Sequence, residues 1–240
     1  MNHIILIRHG QSVWNLENRF TGWVDVDLSE NGIKEAEKAG QLIKNLNINL
    51  DLFFSSYLKR AIKTLEIILN NLSKSNTQII RAWELNERHY GELTGLNKNE
   101  FKKKIGEKEI RKFRRAWDVS PPPIQDNNKY NPKSEKIYSN LPSNKIPQSE
   151  SLKDTYNRVV PYFDSKIAYN LKQNKNILIS AHGNSLRALC KKILNISDKK
   201  ISLLEIPTAN PLLINFDENF KVSDFEYLDK NRKKRITFNE

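Results

Sequence analysis

Apolar residues recur along this chain with two periods, and the alternation between them predicts its elements. His3 to Ile7 is an apolar run of strand length that leads directly into Arg8-His9-Gly10. Ser29 stands as an N-cap before a helix carrying Ile33, Ala36, Ile43 and Leu46 on one face. Asp51 to Ser55 reads as a second strand, and Leu58 to Leu72 as an amphipathic helix with Ile62, Leu65 and Leu69 inward. Thr77 to Ala82 is a candidate third strand. From Glu84 to Trp117 the pattern turns polar, with one or two helices dense in Lys and Arg. Ser120 to Ser149 holds most of the prolines, which predicts a long excursion rather than a core element. A helix follows from about Leu152 and is expected to bend at Pro161, where a backbone donor is missing. Asn176 to Ala181 is the clearest strand, and His182-Gly183-Asn184-Ser185 leads from it into a helix over Leu186 to Leu194. Pro211 to Phe216 and Phe220 to Leu228 read as the last strands, and Asp229 to Glu240 as a basic tail.

Strands alternating with helices predict an α/β fold of three layers, α/β/α, with a mostly parallel central sheet covered on both faces. The chain reads as a single domain over 1–240, with the 84–149 segment as a helical and loop excursion over the active site and 229–240 as a C-terminal tail. Ligands of such sheets gather beyond the carboxyl ends of the strands. Arg8-His9-Gly10 lies just past the first strand, Arg60 just past the second, and His182-Gly183 just past the strand at 176–181. Two histidines 173 positions apart, with two arginines, therefore converge on one edge of the sheet.

Composition narrows the setting. The net charge of +12 suits nucleic acid, an anionic surface or a small polyanionic substrate, and does not choose among them. A lone cysteine, Cys190, forms no internal disulfide, sits at an apolar helical position and reads as core. No apolar run reaches the length of a membrane span, and Arg8 and His9 interrupt any signal-like stretch at the start. A cytoplasmic protein with no membrane or nucleic-acid partner is expected. No Cys/His or carboxylate set has metal-ligand spacing and no phosphate-binding glycine-lysine loop is present, so no metal is expected.

The converging residues suit phosphoryl transfer. A neutral imidazole is a competent nucleophile toward phosphorus, and the transfer needs charge stabilisation on the non-bridging oxygens, which arginine forks supply. A glycine beside each histidine lets backbone N–H groups approach a phosphate. Taken singly, Lys98 with Arg114-Arg115 reads as a solvated basic helix face, Thr21-Gly22 as a turn, Tyr90 as core packing, and His3 and His89 as structural residues.

Longer blocks add specificity. Leu6-Ile7-Arg8-His9-Gly10-Gln11-Ser12 resembles the signature of the histidine phosphatase superfamily. Trp14-Asn15, Asn18 to Trp23, Asp27-Leu28-Ser29, Leu85 to Gly91, Leu96-Asn97-Lys98, Arg114-Arg115, Pro121-Pro122-Pro123 and Ala181 to Arg187 resemble its cofactor-dependent phosphoglycerate mutase branch, in the same order. The resemblance implies a phosphoglycerate mutase-like domain that interconverts 3-phosphoglycerate and 2-phosphoglycerate in glycolysis and gluconeogenesis, primed by 2,3-bisphosphoglycerate. It makes His9 the phosphohistidine, Glu87 the proton donor and acceptor and His182 the stabiliser of the transferring group, with Arg8 and Arg60 beside them. It places Gly10, Gln11, Ser12, Asn15, Thr21, Gly22, Arg88, His89, Tyr90, Lys98, Arg114, Arg115, Gly183 and Asn184 among the substrate contacts, along with Arg8, His9, Arg60 and Glu87. Assembly as a homodimer or homotetramer is implied as well, and so is a tail that covers the site. Ala209-Asn210 departs from the family, which carries a glycine before the last core strand. A histidine phosphatase or bisphosphoglycerate synthase shares the two histidines and is the nearest alternative, and a non-catalytic polyanion-binding protein is a remote one.

Overall fold

A computed structural model describes residues 2–234. Met1 and the last six residues of the expected tail lie outside the described residues. In chain order the elements are β1 (Asn2–Arg8), α1 (Val13–Leu16), α2 (Glu30–Lys44), β2 (Leu52–Ser55), α3 (Lys59–Asn71) and β3 (Ile80–Arg81). Next come α4 (Lys98–Ile105), α5 (Glu107–Arg115), α6 (Leu152–Tyr162), α7 (Ala168–Lys172), β4 (Ile177–Ala181), α8 (Gly183–Ile193), α9 (Asp198–Ile201), β5 (Leu212–Phe216) and β6 (Val222–Tyr227).

The six strands form one sheet in the order β3-β2-β4-β1-β5-β6. The first four are mutually parallel, β5 runs antiparallel to β1, and β6 antiparallel to β5. Side chains alternate across a strand, so Ile4 and Leu6 of β1 join Ile177 and Ile179 against α6 and α8. Ile5 and Ile7 turn the other way, with Leu178, onto Ala39 and Ile43 of α2 and Leu65 and Ile68 of α3. This two-sided burial is the three-layer arrangement expected from the alternation of periods. Cys190 is fully buried among the α8 residues of the first face.

Several expectations need correction. Ile33 does not join the inner face of α2 but is 42% exposed. The buried stripe is Gly32, Ala36, Ala39, Gly40 and Ile43, small residues that let the helix approach its neighbours closely. A Cβ on Gly40 would lie 2.8 Å from Asn71 Cβ of α3. At Pro161, where a bend was expected, α6 runs on and widens two residues later into a π-helical stretch, Phe163–Ile167, before α7. Such a stretch absorbs an irregular ladder without ending the helix. The strand expected at 77–82 shrinks to two residues, and α8 starts at Gly183 with His182 as its N-cap.

The proline-rich stretch is held by its own short 3₁₀ turns and by Tyr138, which is 1% exposed. The Tyr138 hydroxyl donates to Trp23 O at 3.0 Å and accepts from Asn86 Nδ2 at 3.3 Å, which ties the excursion to the body of the fold. No helix of the described residues is long and apolar enough to cross a membrane.

Candidate active site

Parallel pairing of β1 with β4 matches Arg8 to Ala181, so the next residue on each strand is a histidine. His9 N donates to Ala181 O at 3.0 Å, and the two imidazole centroids are 5.0 Å apart, edge to face. Ser55 of β2 pairs with Ser180, which brings Ser56 to the same level; its Oγ lies 2.8 Å from His182 Nε2. Arg60, in the first turn of α3, folds back over the strand ends. Its Nε donates to His9 Nε2 at 3.3 Å, and its two terminal nitrogens donate to Val24 O and Gly22 O at 2.8 Å each. Gly22 presents that carbonyl from a left-handed conformation, φ +58°, with Tyr90 N only 3.3 Å from where a Cβ would stand.

Hydrogen bonding assigns the His9 tautomer. Nδ1 lies 2.6 Å from Gly10 O, a pure acceptor, so Nδ1 carries the hydrogen and Nε2 keeps its lone pair. Burial, then the Arg60 and Arg8 charges, hold His9 well below the ordinary histidine range, and the Gly10 carbonyl only partly offsets this. His9 is therefore neutral at pH 7, as a nucleophile must be. His182 is depressed in the same way, by burial first and then by Arg60 and His9. Ser56 Oγ accepts from Leu58 N and shares a second hydrogen bond with His182 Nε2.

Glu87 faces this pair. Its Oε1 accepts from Arg88 N at 2.7 Å and from Asn184 N, at the start of α8, at 3.1 Å. A Cβ built on Gly183 would stand 3.6 Å from Glu87 Oε2 and 3.8 Å from the Arg8 guanidinium, so the bare glycine keeps the space between them open. Asn184 also donates to the Tyr90 hydroxyl at 3.2 Å and accepts from Arg187 at 3.0 Å. Behind the loop, Arg158 of α6 donates to the carbonyls of Glu84, Asn86 and Glu87. Its charge is matched by Glu150 at 2.6 Å, both side chains being buried.

Above the histidine pair opens a cleft of about 630 Å³. Of the expected contacts, Arg8, His9, Asn15, Thr21, Gly22, Arg60, Glu87, Tyr90, Lys98, Arg114, Arg115, Gly183 and Asn184 line it. His182 lies behind them, fully buried beside His9. Gly10, Gln11, Ser12, Arg88 and His89 are not on the wall. Gly10 gives its N–H to Thr64 Oγ1 rather than to the cleft. It is a glycine for a packing reason, since a Cβ there would fall 2.2 Å from Gly32 O. Gln11 Oε1 accepts from Ser29, and Ser12 caps α1. Arg88 is buried, donates to Phe113 O at 2.6 Å and stacks on Tyr90. His89 Nδ1 accepts from Gly91 N, and burial, aided by Arg158, pulls its pKa down to about 3.

Sequence reasoning missed other wall residues: Arg19, Arg187, Glu205 to Thr208, and Asn231 to Lys234. Arg19 and Arg187 sit inside blocks that mark the family, and that was the available signal. The loop and tail residues carry none. The wall holds ten lysines and arginines against two glutamates, a field suited to a small polyanion. Lys98, half-buried beside Arg114 and Arg8, has its pKa lowered to about 8, chiefly by burial.

The sequence model of the Histidine phosphatase superfamily (branch 1) matches residues 4–130 and 122–225, and the chain belongs to that family. Within it, the chain is 54% identical over 236 residues to the 2,3-bisphosphoglycerate-dependent phosphoglycerate mutase of Pelagibacter ubique (strain HTCC1062), covering 98% of this chain and 99% of the relative. It is 48% identical to the enzyme of the same name from Lactobacillus acidophilus, over 95% of this chain and 100% of the relative. Among solved structures, the mycobacterial glucosyl-3-phosphoglycerate phosphatase complexed with VO3 superposes with a TM-score of 0.71 at 19% identity, over 95% and 97% of the two chains. Bacillus stearothermophilus YhfR does so at 0.69 and 20%, over 99% and 100%. At that identity the likeness is one of fold.

Proposed function

We propose that this chain is a 2,3-bisphosphoglycerate-dependent phosphoglycerate mutase that interconverts 3-phosphoglycerate and 2-phosphoglycerate through a phosphorylated His9. The observation that carries the reading is the neutral Nε2 of His9 at the base of a cleft walled by cations, with Arg60 beside it and Glu87 across from it. Nearly full-length likeness to relatives of that name supports the substrate.

The residues present fit a bisphosphorylated acid. Arg8 Nε and Thr21 Oγ1 are buried polar atoms without partners among the described residues, and Lys98, Arg114 and Arg115 supply charge on the outer wall. When bound, 2,3-bisphosphoglycerate supplies the phosphoryl group that charges His9. Arg8 and Arg60 hold the non-bridging oxygens of the group in transfer. His182, buried beside His9, stabilises the same group from the other side, a preorganised contact that costs no rearrangement in the transition state. Glu87 takes the proton from the hydroxyl of bound phosphoglycerate as that oxygen attacks phosphorus, and returns it in the reverse half-reaction. Because Arg88 N and Asn184 N both bind Oε1, the carboxylate is held in one orientation and Oε2 does the proton transfer. A cytoplasmic location and assembly as a homodimer or homotetramer belong to the same proposal and rest on the family resemblance.

Phosphorus NMR of the purified protein with 3-phosphoglycerate, with and without catalytic 2,3-bisphosphoglycerate and in the presence of a chelator, tests it. The expected result is 2-phosphoglycerate, formed faster with the bisphosphate and indifferent to the chelator. Inorganic phosphate without the isomer would make the protein a phosphatase on this fold.

A further inference from the structure

The loop from Ile201 to Ala209 forms one side of the cleft, and arginines of the cleft bind it. Arg187 donates to Ile201 O, Arg115 to Leu204 O, Arg8 to Ile206 O, and Arg232 to Thr208 O and Ala209 O. These are contacts to neutral carbonyls, which hold a guanidinium in place without cancelling its charge. One contact differs in kind. Arg115 also pairs with the Glu205 carboxylate, at 2.5 Å. Among the described residues, Glu205 is the only carboxylate on the cleft wall that forms an ion pair.

Arg115 does not need Glu205 to be positioned, because the Leu204 carbonyl already holds the same guanidinium. The Glu205 side chain is 50% exposed, so it can turn to solvent without a burial penalty. A phosphate entering the cleft offers Arg115 a bidentate partner with more charge than the single Glu205 oxygen that Arg115 now contacts.

We propose that Glu205 is an internal anion that occupies Arg115 in the free protein, competes with the anionic substrate for it, and so sets substrate affinity. Its negative charge also weakens the attractive field of a cleft that is otherwise cationic apart from Glu87. Glu205 thus acts against binding in two ways, through the pair with Arg115 and through its charge. The first is specific to Arg115, and the second is not.

The proposal rests on the mutase reading, and the test separates the two. KM and kcat for 3-phosphoglycerate are measured at low and at physiological ionic strength for the wild type, E205Q, R115A and the double variant. An exposed ion pair corresponds to a factor of about two to five in an equilibrium constant. E205Q is therefore expected to lower KM by about that factor at low salt, less at physiological salt, with the change in KM and not in kcat. In the R115A background the same substitution should give a smaller gain, that of the charge alone, and the difference is the non-additivity of two residues in one contact. A KM that is unchanged or raised in E205Q overturns the proposal, as does an equal gain in the R115A background. If the wild type shows no isomerisation, the mutase reading fails, and the proposal with it. Glu205 is surface-exposed, so folding of the variant is not at stake, and far-ultraviolet circular dichroism verifies it.

Discussion

The floor of the cleft and its outer wall are built on opposite terms. On the floor, His9 is 3% exposed, Arg60 1% and His182 fully buried; each follows directly on a strand or opens a helix packed on the sheet. His9 and Arg60 are fixed by backbone carbonyls and by each other, and His182 is held by Ser56 Oγ. On the wall, Lys98, Arg114 and Arg115 come from α4 and α5, two short helices whose remaining charged side chains face water. Arg114 makes no ion pair among the described residues, and Arg115 exchanges one for substrate if the Glu205 proposal holds. The contrast assigns different work to the two regions. Groups that act on the reacting atoms must be preorganised, since a misplaced nucleophile or donor loses most of its effect. Groups that collect a polyanion gain from long-range charge and tolerate mobility.

The largest test of that contrast removes the proposed nucleophile. His9→Ala is expected to lower kcat by at least about 10⁴-fold, with little change in the affinity for 3-phosphoglycerate measured by calorimetry, because the wall remains intact. Comparable loss of binding would show that floor and wall are one unit. Turnover retained in the variant would remove His9 from the chemistry.

The floor was legible in sequence for a physical reason. A strand that ends in Arg-His-Gly and another that ends in His-Gly have one placement in a parallel sheet, and register does the rest by setting Arg8 against Ala181. The wall was legible only through resemblance, since Arg114 and Arg115 by residue type are two more cations on a basic helix. The reason for Gly10 was misread. Phosphate access was expected, whereas the glycine is required by the 2.2 Å approach of the Gly32 carbonyl, a contact between residues that no local pattern connects. Glu205 and Arg232 carried no signal because their place in the cleft depends on where a loop and a tail return.

The second test concerns the wall alone and is intermediate in size. Burial, with Arg114 and Arg8 nearby, brings the Lys98 pKa to about 8, with Glu87 opposing. Lys98 is charged below that pH and loses its proton as pH rises through it. The expected result is a fall in kcat/KM for 3-phosphoglycerate above about pH 8, approaching about tenfold, the scale of one charged hydrogen bond. The limb should move to higher pH in kcat, because bound substrate anion favours the protonated lysine. Lys98→Arg keeps its charge throughout and should lose the limb. An unchanged limb in that variant would assign it to another group.

The smallest effect is expected where floor and wall join, at Ala209. This residue lies in the Ala209-Asn210 stretch where the family resemblance leads to the expectation of a glycine, and its φ of +41° is a left-handed conformation that an L side chain adopts at a cost. Its N–H donates to Arg8 O on the floor at 2.8 Å, while its carbonyl accepts from Arg232 at the base of the tail. Both contacts are backbone contacts and survive a change of side chain. Ala209→Gly relieves about 1–2 kcal/mol of backbone strain. It also gives up about 0.8 kcal/mol of methyl burial, since Ala209 is fully buried, and adds about 0.5–1 kcal/mol of chain entropy to the unfolded state. These terms nearly cancel, so calorimetry should show a melting temperature within about 4 °C of the wild type. Ala209→Val keeps the strain, adds a branched Cβ to the same left-handed turn and overfills the site, so it should cost about 1–3 kcal/mol. A large gain from glycine would mean that the joint stores strain. A large loss would mean that the methyl group is a packing element between the layers, and that this chain compensates for its missing glycine through the core.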